Sequence, residues 1–285
     1  MKKFLILVLV LTLGLTGCLP EARDPVTVNE NESKEEESIF GGSNIVLATT
    51  LPQESGLLNE LIPQFADQMK IRVKTIHVGI DEGVEMAQNG EVDVLFINSK
   101  EDELELINNG DVVYSYDVME GEIVLIGPKD DILSTNDILG ALRTISTKNL
   151  PFVSGGSDSL SSRVEDFLWN ELGVVDKDSW YQIVESKMRD TILKADELRA
   201  YALVDKESFL NLKDDLDLEI IVEGESLLKS QFSVMTIDPT KSPVINELGS
   251  LAFANWLVFG ETQLIIKEFG IDKYGEALYR VTPNN

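Results

Sequence analysis

From residue 44 onward, short apolar β-rich runs take turns with stretches whose apolar residues recur every three or four positions. That alternation restricts the fold more than any other feature of the sequence. Residues 44–48 form an apolar strand-like run ending in Thr49 and Thr50, and Leu57, Leu58, Leu61, Ile62 and Phe65 follow at helical spacing. The pattern repeats with a β-rich run at 71–78, a short helical stretch at 84–88, a buried-strand run at 92–97 and a helical stretch at 102–108. Strands and helices taking turns predict βαβ units, hence an α/β fold of mostly parallel sheets flanked by helices.

The alternation breaks twice. Residues 112–118 and 122–127 are successive extended runs separated by Met119, Glu120 and Gly121, with Pro128 and Lys129 beyond them. A comparable pair, 218–222 and 232–237, precedes two closing helical stretches at 245–259 and 263–269. These pairs predict two hinge crossings between two lobes. The first lobe would be built from 43–123 plus 234–285 and the second from 124–233, with a cleft between them.

Ahead of this body stand Lys2, Lys3, an apolar run over 4–15 and the sequence Thr16-Gly17-Cys18. The positive start, the short apolar core and the small residues before the cut predict a signal peptide over 1–17, too short to span a bilayer comfortably. The Thr-Gly-Cys ending resembles the lipobox of bacterial lipoproteins, which makes Cys18 the expected lipid anchor on the extracytoplasmic face of a cell membrane. Two or more acyl chains hold a protein firmly, at about 0.8 kcal/mol per buried methylene. Residues 19–42 carry seven acids against Arg23 and Lys34 and few large apolar side chains, so 18–42 is expected to be an acidic, disordered tether. Cys18 is the single cysteine, so the body can hold neither a disulfide nor a cysteine metal site.

The chain has 24 basic and 50 acidic side chains, a formal charge of −26. That balance opposes phosphate-backbone binding and excludes nucleic acid as a partner. Enzyme signatures are missing as well. His77 is the single histidine, so neither a two-histidine zinc site nor a Ser-His-Asp triad can be assembled. No Gly-x-Ser-x-Gly elbow and no phosphate-binding Gly-Lys-Ser or Gly-Lys-Thr loop occurs. The acids Asp214, Asp215, Asp217 and Glu219 are the kind of cluster expected by chance in so acidic a chain. A binder that needs no cofactor is the expectation.

In open α/β sheets, ligands bind at the carboxyl ends of strands, where helix N-termini present unpaired N–H groups. The loops that matter are then 49–56, 79–83, 99–101 and 154–162. The last holds five hydroxyls and two glycines ahead of the helical pattern Val164, Phe167, Leu168 and Leu172. Glycine lets backbone approach a ligand, and hydroxyls with exposed N–H groups can surround a small anion. The same spacing also reads as a loop closed by a Ser or Asp helix cap. Thr49, Thr50, Ser154, Gly155, Gly156, Ser159 and Ser161 are the candidate ligand residues.

Longer matches carry a family resemblance. They run through LATT at 47–50, SGLL at 55–58, VG at 78–79, NGEVDVL at 89–95, VLIGPKDD at 124–131 and PFVS at 151–154. They continue with WY at 180–181, AYALVD at 200–205, LKDDLDLEIIVEG at 212–224, ANWL at 254–257 and EFGIDKYGEALY at 268–279. In order and spacing these resemble the tungstate-binding proteins of ABC transporters, over nearly the whole body. The resemblance implies a two-lobed type II periplasmic-binding-protein fold. Such a fold would close on a tetrahedral oxyanion through hydroxyls, backbone N–H groups and an arginine, and hand the solute to an ABC permease. A lipid-anchored sensor that keeps the fold without transport is the alternative.

The ligand loops depart from the family. Its Thr and Ser run is cut to Thr49-Thr50 before Leu51-Pro52, its Thr-Gly after Val-Gly is Ile80-Asp81 with Glu82 next, and its Ser-Arg-Gly is Ser154-Gly155-Gly156. Ser159 and Ser161 still align with the family's Ser and Thr. Losing a guanidinium removes up to two charge-assisted hydrogen bonds, each about 1.5–3 kcal/mol, and nearby carboxylates repel an anion. Weakened tungstate binding or a changed ligand is expected. If Asp81, Glu82, Glu120 and Glu122 face the cleft, a cation held by oxygen atoms becomes the alternative. Lys206, at a basic position of the family, either compensates or serves the surface.

Overall fold

The computed structural model describes residues 43–130, 133, 135, 137–156 and 158–282. The leader, Cys18, the tether of 18–42 and Ser157 lie outside the described residues. The first strand, β1 (Asn44–Thr49), lies parallel between β2 (Arg72–His77) and β3 (Val94–Ile97). Helices α1 (Leu57–Met69), α2 (Ile80–Gln88) and α3 (Lys100–Asn109) follow these strands in turn, as the alternation predicts. The apolar stripe of α1 buries Leu57, Leu58, Leu61 and Phe65. The Phe65 ring meets Phe253 of α8 (Glu247–Val258) edge-on at 4.9 Å. Each such side chain, fully buried, stabilises the fold by about 1.5–3 kcal/mol relative to exposure.

Beyond β3 the pairing turns antiparallel. There β9 (Lys229–Ile237) pairs with β3 and with β4 (Val112–Pro128), and β10 (Arg280–Val281) closes on β4. The sheet is therefore mixed: β1, β2 and β3 pair in parallel, and so does a separate pair, β5 (Phe152–Ser154) with β6 (Tyr181–Ile183).

The first crossing is one strand where the sequence pattern predicts two. Met119, Glu120 and Gly121 continue β4 because they pair in register with Phe232, Gln231 and Ser230. Gly121 also leaves room for two rings, since a Cβ there would stand 3.4 Å from Phe232 and 3.5 Å from Tyr279. Past Glu122 the same strand changes partners, to β7 (Ala202–Asp205) and β8 (Leu218–Val222). The return strand β9 begins at Lys229, three residues ahead of the expected run.

Helices α4 (Ile138–Lys148), α5 (Leu160–Glu171) and α6 (Met188–Leu198) belong to this middle part of the chain. Its core gathers Ile123, Leu125, Leu142, Phe152, Leu168, Trp169, Trp180 and Leu203. Trp169 meets Phe152 at 5.3 Å and Trp180 at 5.6 Å, both edge-on. A second core, with Ala48, Leu95, Ile97, Met235 and Ile237, lies within the first and last parts of the chain, and the largest core runs from Ile45 and Phe96 through Val124 to Ala202 and Val204. Among the described residues no helix is long and apolar enough to cross a membrane.

Lys206 opens α7 (Lys206–Leu210) and is buried near both crossings. Its ammonium lies 3.5 Å from Glu122 of β4, 2.7 Å from Glu223 and 2.9 Å from Glu276. Burial works against its charge, but the hydrogen bonds to Glu223 and Glu276 prevail and hold its pKa above the ordinary lysine value.

Candidate ligand cleft

Two sets of loops, distant in sequence, line one cleft of about 710 Å³. One wall comes from the end of β1 and the turn after it (Thr49, Thr50, Leu51, Gln53, Glu54) and from the end of β2 (His77, Val78, Gly79). The other comes from Gly155, Gly156, Asp158 and Ser159 before α5, and from Glu185 to Arg189 at the start of α6. Asp205, Ser208 and Asn211 also line it.

Of the sequence-predicted residues, Thr49, Thr50, Gly155, Gly156 and Ser159 line this cleft, whereas Ser154 and Ser161 do not. Thr49 is fully buried, and its Oγ1 donates to the Phe96 carbonyl at 2.8 Å while accepting from the Leu51 N–H at 3.1 Å. Thr50 Oγ1 donates to Asn98 Oδ1 at 2.8 Å. Ser159 caps α5, accepting from the Ser162 N–H at 3.2 Å, so the cap reading and the ligand reading fall on one hydroxyl. Ser161 is buried behind it, 3.0 Å from Ser159 Oγ. Ser154 faces the interior beside Glu165, which also accepts from Tyr181 at 2.5 Å and from Trp169 at 3.1 Å. Burial pushes the Glu165 carboxyl above the usual range, and these hydrogen bonds only partly offset it.

The expected loop at 79–83 is helical. Gly79 is the cap residue of α2 and the helix starts at Ile80, so Asp81 and Glu82 stand in its first turn, where carboxylates suit the helix dipole. The end of α2 already has an anion on it. Asp158 Oδ1 accepts from the Asp81 N–H at 2.8 Å, and a Cβ on Gly79 would stand 1.8 Å from Asp158 Oδ2. Arg163, the nearest guanidinium along α5, is bonded to Asp81 at 2.5 Å and Asp102 at 2.6 Å.

The four acids singled out as alternative cation ligands are dispersed. Glu82 lines the cleft, Asp81 pairs with Arg163, Glu120 pairs with Lys229, and Glu122 meets Lys206 and the Gly224 N–H. Among the described residues no group of three or more His, Cys, Asp and Glu side chains is placed to hold a metal ion. Nor does Lys206 reach the cleft, because its three carboxylates hold it at the crossings. His77 stands at the cleft edge with Nδ1 2.8 Å from the Leu51 carbonyl, a contact in which Nδ1 donates.

Sequence reasoning misses Lys187, Met188 and Arg189, which open α6 and line the cleft. Their signal is the same strand-to-helix rule, applied to β6. That strand is three residues long with two exposed, too short to register as an apolar run. Asp158 is missed as an acid because the pattern there reads as hydroxyls and glycines.

The sequence matches the family described as a PBP superfamily domain over residues 30–261. It is 36% identical to the tungstate-binding protein TupA of Peptoclostridium acidaminophilum over 282 residues, covering 97% of this chain and 96% of that one. Among solved structures, the tungstate-binding protein TupA from Desulfovibrio alaskensis superposes with a TM-score of 0.74 at 27% identity, over 85% of this chain and 100% of that one. The structure of the tungstate ABC transporter from Geobacter sulfurreducens gives 0.73 at 29% identity, over 80% and 100%.

Proposed function

The chain belongs to the PBP superfamily domain family and has the two-lobed type II periplasmic-binding-protein fold, and on that premise we propose that it captures a small tungstate-like oxyanion for an ABC-type importer. One observation carries the reading. Thr49 and Thr50, Gly155 and Gly156, and Ser159 come from loops about a hundred residues apart and line a single cleft of about 710 Å³. Hydroxyls and glycine backbone suit an anion too small to need shaped apolar walls. Two of the relatives named above are tungstate-binding proteins and the third is a tungstate ABC transporter.

The lobes would be 43–123 with 234–285 on one side of the cleft and 124–233 on the other. An acylated Cys18 and the tether of 18–42 would hold the body at the extracytoplasmic membrane face, within reach of the permease. A Cys18→Ser variant recovered in the membrane fraction as fully as wild type would rule the anchor out.

The oxyanion reading is tested by calorimetric titration of the full chain with tungstate, molybdate and sulfate at low salt. Binding of tungstate or molybdate in preference to sulfate is the expected outcome. No heat and no thermal stabilisation with any of the three would overturn the reading.

A further inference from the structure

The cleft has lost the arginine that the family resemblance places after Ser154, yet it does not lack a guanidinium. Arg189 lines it from the first turn of α6, with Lys187 at the cap position of that helix. Neither forms an ion pair among the described residues. The start of α2 at the cleft is taken, because Asp158 already fills the space over Gly79 and accepts the Asp81 N–H, and the start of α5 is capped by Ser159. Arg163 is held by Asp81 and Asp102. Free positive charge in the cleft is therefore concentrated at the start of α6.

A second observation marks the same place. Thr191, further along α6, is fully buried, and its Oγ1 has no hydrogen-bond partner among the described residues. That oxygen lies 3.2 Å from where a Cβ of Gly155 would stand, and Gly155 lines the cleft. A buried hydroxyl without a partner costs about 1–3 kcal/mol, a cost removed when a ligand oxygen accepts from it. A side chain at position 155 would crowd the Thr191 hydroxyl, and glycine avoids that contact.

We infer that the oxyanion is held at the start of α6, with Arg189 as the guanidinium that meets it, Lys187 adding charge and the Thr191 hydroxyl reaching it past Gly155. The cation lost after Ser154 is replaced from a different helix. A guanidinium offers a planar pair of N–H donors that matches two oxygens of a tetrahedral anion, and it stays charged throughout the physiological range. Asp158, seated over Gly79, keeps the anion off the end of α2 and sets the direction from which it enters.

The inference rests on the oxyanion reading above, and one titration series separates the two. Wild type, Arg189→Gln, Arg189→Lys, Thr191→Val and Asp158→Asn of the full chain are titrated with sodium tungstate, each with its thermal midpoint measured without ligand. Arg189→Gln should weaken binding by about 10- to 100-fold, as expected for the loss of a charge-assisted pair. Its midpoint should be unchanged, Arg189→Lys should recover part of the loss, and the salt dependence of binding should flatten in Arg189→Gln. Thr191→Val should weaken binding by about 2- to 10-fold without lowering the midpoint. Asp158→Asn should tighten binding by no more than about tenfold, the effect of removing one facing charge. Wild-type affinity in Arg189→Gln, beside a far larger gain in Asp158→Asn, would place the anion at α2 and overturn the inference while leaving the oxyanion reading standing. A wild-type chain that binds neither tungstate nor molybdate would overturn both.

Discussion

Glu207 shows how far a single side chain can depart from what its type suggests. It sits in the first turn of α7, 3% exposed, and burial pushes its carboxyl up, with the charge of neighbouring Asp205 adding to the shift. Asp205, which lines the cleft, is itself pushed up by burial. In the unfolded chain Glu207 ionises near its ordinary value of 4.5, so above that pH the folded protein holds a proton that the unfolded chain has released. The stabilisation is complete below pH 4.5 and is lost as pH rises towards and through the raised folded value. Glu207→Gln should therefore flatten the pH dependence and raise stability at pH 8 relative to wild type, by on the order of a few kcal/mol. Urea melts at pH 5 and pH 8 check this, and a wild-type chain more stable at pH 8 than at pH 5 would contradict it. Nothing in the sequence distinguishes Glu207 from the other acids of a chain with 50, because the leading cause of its shift is burial, which the fold as a whole decides.

At the scale of elements, the sequence patterns name most strands and helices and misplace the joints. The parallel trio β1, β2 and β3 and the helices after them follow from apolar periodicity, which is local. β4 does not, because its continuity through Glu120 and Gly121 depends on β9, more than a hundred residues away. The start of α2 is hidden for a similar reason, since its cap interaction comes from Asp158. The candidate site divides along the same line. Thr49, Thr50, Gly155, Gly156 and Ser159 are legible as loop chemistry, whereas Arg189 becomes visible once α6 is seen to abut Gly155. Gly127 tests how tightly β4 is packed in its second half. A Cβ there would stand 2.5 Å from Tyr201 and 3.0 Å from Ile221, and the Tyr201 ring is 3% exposed with little room to move. Gly127→Ala should lower stability by about 1–3 kcal/mol, the usual cost of overpacking. An unchanged urea midpoint would mean that the Tyr201 ring yields freely.

For the molecule as a whole, the cleft walls are joined by polar contacts between chain segments that the two-lobe proposal places on opposite sides. Arg163 binds Asp81 and Asp102, Asp158 accepts the Asp81 N–H, and Asn211 Nδ2 donates to the Glu54 carbonyl at 3.0 Å. Most of these partners are partly exposed, so each contributes modestly and is screened by salt. A set of weak ties suits a protein that has to open for its ligand, since a ligand shifts the equilibrium only by its preference for the closed form. Arg163 is the member that touches two carboxylates at once. Arg163→Gln should lower the thermal midpoint by about 2–4 °C, the shift that 1 kcal/mol produces in a body of this size. It should also enlarge the radius of gyration in small-angle scattering, and saturating tungstate should reverse the enlargement, because ligand contacts replace the lost ties. A lower midpoint with an unchanged radius, with or without tungstate, would show that Arg163 braces α2 against α5 and has no part in closing the cleft.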